Sequence, residues 1–289
     1  MPIDVRAALD AEPLRQRLRW TVRDVLLYHL SLGAGGHAAT DPEPRYTLES
    51  ELEVLPTFAL VAGQGVSAST APRFEDKLAG LSLDPRRILH AGQTLHVSRP
   101  IAATGEAFLT SAVTRIFDKG KAALVVLTEN ARDRSGEPLW TAETQLWVAG
   151  AGGFGGDPGP EVAWRRPDRV PDVEFSTRTL EQQALLYRLN GDMNPLHADA
   201  GFAAEAGFER PILHGLASFG MLARGVVDHV LNGETARLRG VSARFRHPVF
   251  PGQSLAARVW REDEGLRFEV SGPDAGDALV LGQGTAWIR

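Results

Sequence analysis

The chain alternates between two hydrophobic periods. From Gln93 to Val148 apolar and polar residues alternate in twos through LHVSRPI, FLTSAVTRIF, AALVVLTENARD and LWTAETQLWV, with turns at Asp118-Lys119-Gly120 and Ser135-Gly136. This pattern predicts an antiparallel meander. It returns near the C-terminus in VSARFRHPVF, LAARVWRED, LRFEVSG and ALVLGQGTAWI. Between the two sets the period becomes helical. Thr179 opens a run with Leu180, Ala184 and Tyr187 on one face, and Gln182 stands where a capping box wants it. LASFGMLARGVVDHVL is apolar on nearly every face, with small residues at Ala217, Gly220 and Ala223, which suits a helix in the middle of a domain. Residues 1–19 read as a charged amphipathic lead-in helix. Together these elements predict an α+β fold.

The first helical run cannot pass Asn190-Gly191 or Asn194-Pro195, because Gly and Asn favour left-handed turns and Pro expels its predecessor from the α region. Asp192 and His197 flank that break, so one irregular turn can aim both side chains at a single point. A carboxylate and an imidazole so placed can hold and activate a water. The peptide Arg210-Pro211-Ile212-Leu213-His214 leads into a helix opening at Gly215, whose free N–H groups can receive a developing oxyanion. Taken singly these residues have plainer roles: Asp192 as a turn former, His197 as a polar residue ahead of a helix capped by Asp199, and His214 as the residue that orders its turn. Asp192, His197, Asp199 and His214 match no H-E-x-x-H or Cys/His spacing, so no metal is expected. The remaining histidines, His29, His37, His90, His96, His229 and His247, read as structural or surface residues.

YRLNGDMNPLHAD followed by PILHG resembles the hydratase 2 signature of the MaoC-like dehydratases, the (R)-specific enoyl-CoA hydratases. The resemblance implies a hotdog fold, a sheet wrapped around a central helix, and an acyl-CoA thioester as substrate. It further implies that Asp192 and His197 activate the water, that Asn194 orders the water and the turn, and that the Gly215 N–H binds the thioester oxygen. No cofactor is expected beyond the coenzyme A of the substrate.

The chain also repeats itself. Leu26-Leu27-Tyr28 returns as Leu185-Leu186-Tyr187, Gly92-Gln93-Thr94-Leu95 as Gly252-Gln253-Ser254-Leu255, and Leu55-Pro56-Thr57-Phe58 stands in for Arg210-Pro211-Ile212-Leu213. This suggests an internal duplication, hence a double hotdog. The expected domains are a first repeat over 1–149, a Gly/Pro linker over 150–163 and a second repeat over 164–289. The alignment puts Gly33 opposite Asp192 and nothing opposite His197, so the first repeat keeps the scaffold without the chemistry. GAGGHAATDPEPRYTLES running into VLPTFALVAG likewise resembles the degenerate N-terminal repeat of two-repeat hydratases. By the same resemblance that half makes room for the acyl tail, with Pro56, Thr57 and Phe58 as candidate wall. Gly150 to Gly155 spells G-x-G-x-x-G, but Asp157-Pro158-Gly159-Pro160 follows where a dinucleotide site needs a helix, so the stretch reads as a flexible linker.

Composition narrows the partners. A formal net charge of -5 argues against nucleic acid. A polyanion such as coenzyme A needs only local cations, and Arg244 and Arg246, on one strand face, are candidates for its phosphates. Zero cysteines removes thiolate chemistry and disulfides. No apolar run reaches a membrane span, and no leader or peroxisomal C-terminal signal is seen, so a cytoplasmic enzyme is expected. A homodimer is left open. Two alternatives stand beside the hydratase: an acyl-CoA thioesterase of the same fold, and a non-catalytic acyl-CoA-binding protein.

Overall fold

The computed structural model describes residues 3–36, 43–65, 74–81, 83, 87–161 and 163–289. The alternating segments all become strands of one antiparallel sheet. In the first half these are β1 (Leu14–Trp20), β2 (Ile88–Val97), β3 (Gly105–Asp118), β4 (Ala122–Arg132) and β5 (Pro138–Ala149). The second half contributes β6 (Val173–Arg178), β7 (Leu238–Phe245), β8 (Ser254–Glu262), β9 (Gly265–Gly272) and β10 (Ala278–Ile288). The order across the sheet is β1-β3-β4-β5-β2-β7-β10-β9-β8-β6. Read outward from the centre, the two halves carry the same strand order, so β6 answers β1, β7 answers β2 and β10 answers β5. The halves join where β2 pairs with β7, Leu95 lying opposite Val241 and the Thr94 hydroxyl bonding that of Ser242 at 2.8 Å.

The helices are α1 (Val5–Leu9), α2 (Val22–Ser31), α3 (Pro44–Thr47), α4 (Gln183–Tyr187), α5 (Ala200–Glu205) and α6 (Gly215–Val230). Helix α6 is the apolar helix of the sequence. Ala217, Phe219, Ala223 and Val227 on it have no exposed surface, so it is wrapped by the sheet rather than laid upon it. Burying Phe219 alone contributes ~1.5–3 kcal/mol.

Residues at equivalent places in the two halves meet across the pseudo-two-fold axis. The rings of Tyr28 and Tyr187 lie 6.3 Å apart, and the Asn190 amide donates to the Ser31 hydroxyl at 2.9 Å, each pair being 159 residues apart in sequence. The duplication is therefore real, but one of its sequence matches is not. Gly92–Leu95 lies inside β2, whose counterpart is β7, whereas Gly252 sits in a turn with φ 92° ahead of β8. Two unrelated uses of glycine produced that likeness.

Four other expectations are corrected. The lead-in helix ends at Leu9, and Leu14–Trp20 is an edge strand on β3, because Leu14, Leu18 and Trp20 alternate with Arg15, Arg17 and Arg19. The helix expected from Thr179 starts at Gln183. Thr179 instead bonds the Gln253 carbonyl, and the Gln183 side chain accepts the Leu180 N–H. Among the described residues the first half has no helix answering α6: Leu55-Pro56 opens only a 3-10 stretch, Pro56–Leu60. The linker is tied down, since the Asp118 carboxylate accepts the N–H groups of Gly153 and Gly155 at 2.8 and 2.7 Å, and Trp164 bonds the Gly284 carbonyl. No helix among the described residues is long and apolar enough to cross a membrane.

Candidate active site

Chain geometry alone brings the motif together. Gly191, with φ 125°, ends the short 3-10 turn Arg188–Asn190 that follows α4 and turns the chain outward. The Asp192 carboxylate then accepts the Asn194 N–H at 3.1 Å, and the Asn194 side chain accepts the Leu196 N–H at 3.0 Å, capping the turn Pro195–His197. Asn194 thus holds the two flanks of the break in one piece. The Ile212 N–H donates to the Leu196 carbonyl, and Leu213 donates to the Val249 carbonyl at 2.7 Å, so PILHG is pinned between the motif and the loop that follows β7. At its end Gly215 opens α6 with His214 as the preceding residue.

One ligating atom from each of Asp192, His197 and His214 lies within 4.8 Å of the others. Asp192 is exposed, whereas His197 and His214 are 8% and 2% exposed. The His197 Nδ1 lies 2.8 Å from the Ile212 carbonyl, an acceptor only, so Nδ1 carries the proton and Nε2 keeps its lone pair. His214 Nε2 lies 3.2 Å from the Asp192 carbonyl and is fixed in the same way. The two rings stack with centroids 3.6 Å apart at 25°. Burial lowers the His197 pKa, with Asp192 and the Ile212 carbonyl opposing it and Arg188 reinforcing it. Burial, together with the neighbouring His197, pushes His214 down to about 3. Two neutral imidazoles therefore face an exposed carboxylate across the width of one bridging water.

The first half touches this site in several places. The Gln183 and Asn190 side chains bond Ser31, and a Cβ on Gly191 would come 2.2 Å from the Gln64 carbonyl oxygen. Gly191 has both the glycine conformation and the glycine contact. Gly191→Ala is accordingly expected to lower Tm by more than about 5 °C and turnover at least about ten-fold, measured by thermal unfolding beside an activity assay. An unchanged Tm with full activity would contradict the packing described. Gly33, the residue aligned with Asp192, has φ 82° and faces the Gln183 side chain.

The other sequence candidates are placed differently. Pro56, Thr57 and Phe58 are buried in the 3-10 stretch, the Phe58 ring 5.7 Å from Tyr28 and 6.2 Å from Trp20. Arg244 is not brought to the pair. Its strand neighbour Phe245 faces α6, so Arg244 points to the opposite face of the sheet, against Gly92. Arg246 lies beyond the end of β7, beside Gly282. Two residues near the pair were not singled out in the sequence, Arg188 and His90. Arg188 stands two residues before the break. His90 has no local signal at all, coming from β2 in the other half.

Each half matches a family model, MFE-2 hydratase 2 N-terminal domain over residues 18–150 and MaoC like domain over residues 163–277. The enoyl-CoA hydratase ChsH3 of Mycobacterium tuberculosis is 40% identical over 281 residues, covering 97% of either chain. The chain belongs to the MaoC-like dehydratase family. Within that family it is also 35% identical to the peroxisomal enoyl-CoA hydratase 2 of Arabidopsis thaliana, covering 87% of this chain and 84% of that one. A MaoC-like dehydratase from Phytophthora capsici superposes with a TM-score of 0.86 at 27% identity, covering 99% of this chain and 98% of the other. The double hotdog architecture and hydro-lyase class follow from this membership.

Proposed function

We propose that this MaoC-like hydro-lyase adds water reversibly to a trans-2-enoyl-CoA, giving a (3R)-3-hydroxyacyl-CoA. The observation that carries the reading is the Asp192–His197 pair, held on one turn opposite the start of α6. Water sits between the carboxylate and the His197 Nε2 lone pair. As its oxygen bonds C3, one of its protons passes to this pair, which returns a proton to C2 on the same face, so that the H and OH of one water are added across the double bond. The electrons displaced toward the thioester oxygen are held by the Gly215 N–H. A positioned base contributes roughly 10² to 10⁴ in rate and an oxyanion donor roughly 10² to 10³.

The acyl tail is assigned to the first half, where the short 3-10 stretch replaces a long helix and Pro56, Thr57 and Phe58 form the inner wall. The chemistry needs no metal. Asp192, His197 and His214 each place one potential ligand atom within 4.8 Å of the others, so the chelator arm of the test below decides whether an ion takes part. Neither redox change nor a difficult leaving group calls for an organic cofactor.

The test is a chiral assay of crotonyl-CoA and a longer enoyl-CoA. The (3R) alcohol is expected, with a rate unaltered by a chelator. A (3S) product, release of free coenzyme A, or activity lost to a chelator and restored by a divalent ion would overturn the reading.

A further inference from the structure

Strand β2 slips register between His90 and Gly92 where it pairs with β5. A single extra residue moves every side chain beyond it to the other face of a sheet. His90 has the parity of Thr94, whose hydroxyl bonds Ser242 on the outer face. After the slip His90 instead lies on the inner face with Gln93, toward α6. There its ring meets the Phe245 ring edge to face, centroids 4.7 Å apart at 66°. Phe245 in turn lies against the start of α6, its Cδ1 and Cε1 only 3.1 Å from where a Cβ on Gly215 would stand. The contacts form a chain from the half that lacks the motif to the residue that binds the oxyanion.

His90 is itself held. Its Nε2 lies 3.1 Å from the Gln93 side-chain oxygen, which also accepts the Thr144 hydroxyl at 3.0 Å, while the Gln93 amide donates to the Thr94 carbonyl at 3.2 Å. With the Gln93 oxygen as acceptor, His90 Nε2 is the donor and the imidazole is locked. Burial is the main cause that keeps its pKa down to about 4, opposed by Gln93, by the Asp192 carboxylate and by the Gly92 backbone. The ring is uncharged at neutral pH while standing within the field of Asp192.

We propose that His90 is a positioning residue of the active site, reaching across the β2–β7 seam to brace Phe245 against Gly215 and so to set where the Gly215 N–H points. The inference rests on the reading of Gly215 as the oxyanion donor. Its action is mechanical: the aromatic edge matters and no proton is transferred. A displaced donor weakens the bond to a charge that exists only in the transition state, so kcat falls while substrate binding is nearly kept.

The test compares His90→Ala and His90→Phe in the full chain. His90→Ala is expected to lower kcat about ten-fold with KM within about two-fold, as a small misplacement of a catalytic group does. His90→Phe keeps an aromatic edge against Phe245 and should recover kcat to within about two-fold of the parent. A second readout is 4-dimethylaminocinnamoyl-CoA, whose absorption moves to longer wavelength when its carbonyl is polarised. His90→Ala should lose at least about half of that shift, and His90→Phe should keep it. Full kcat and full shift in His90→Ala would overturn the proposal. So would a His90→Phe variant as impaired as His90→Ala, because the imidazole would then act on the substrate directly. Asp192→Asn separates this inference from the reading beneath it. If that variant is inactive while His90→Ala is unaltered, only the role of His90 fails; if Asp192→Asn is active, the reading of the site fails first.

Discussion

Asp192→Asn and His197→Gln are each expected to lower kcat by at least about 10² with Tm nearly unchanged, since each removes a group that handles the water. The replacements suit their places. The Asn amide oxygen can still accept the Asn194 N–H that Asp192 accepts, and Asp192 is exposed, so no buried group is orphaned. The Gln amide can still donate toward the Ile212 carbonyl but offers no basic lone pair in place of Nε2. The pH profile supplies a second check. Burial places the His197 pKa below the ordinary 6.5, so its neutral, water-binding form persists to lower pH. Activity should fall as pH drops through that lowered value, and the acid limb of kcat/KM in the parent should lie below 6.5. Steady-state kinetics across pH measures both effects. More than about a tenth of the parental rate in either variant would remove that residue from the mechanism.

The second large effect concerns the half without the motif. Residues 161–289 expressed alone should be insoluble or self-associated, with turnover below about 1% of the intact chain. Cutting there strips β7 of β2 and leaves its N–H and C=O groups as an open edge. It also uncovers α6 at Gly220, which packs on the Tyr28 hydroxyl and on Leu32, and removes Gln64 from Gly191 and Ser31 from Asn190. The exposed apolar face and the loosened motif have one origin, because the same contacts hold both. Size-exclusion chromatography and turnover of the fragment decide the matter. A soluble monomeric fragment with half the parental activity would show that the first half is dispensable. Active-site titration of the intact chain with a slowly turned-over acyl-CoA analogue should give one site, because Gly33 offers no carboxylate where the second half has Asp192.

The site was more legible than the scaffold, and the reason is local. Asp192, Asn194 and His197 sit on a turn that their own sequence dictates, through Gly191, Pro195 and the Asn194 cap, and the distant contacts at Gln64, Ser31 and Ile212 hold in place a convergence already set locally. The lead-in helix was misread because Leu14–Trp20 is short and rich in arginine, and its strand character depends on pairing with β3. The face that Arg244 occupies depends on which side of β7 covers α6, and no residue near it in sequence says so. The Gly92–Gly252 match failed since a strand glycine and a turn glycine look alike in sequence.

The sequence by itself determined the alternating strands, the buried helix from Gly215, the duplication through Tyr28 and Tyr187, and the motif that sets Asp192 and His197 on one turn. The strands, the helix and the motif rest on periods of two and 3.6 residues, on turn chemistry and on short spacing, each carried within a short stretch of chain, and the duplication rests on such stretches recurring. The tertiary structure decided what lies between the halves. It fused two five-stranded sheets into one at the β2–β7 seam, shortened the first half's central element to Pro56–Leu60, and used a slip in β2 to turn His90 toward Phe245 and Gly215. Register and pseudo-two-fold packing join residues more than a hundred positions apart. Such contacts are chosen by whole faces fitting together and leave no pattern at any one place in the chain.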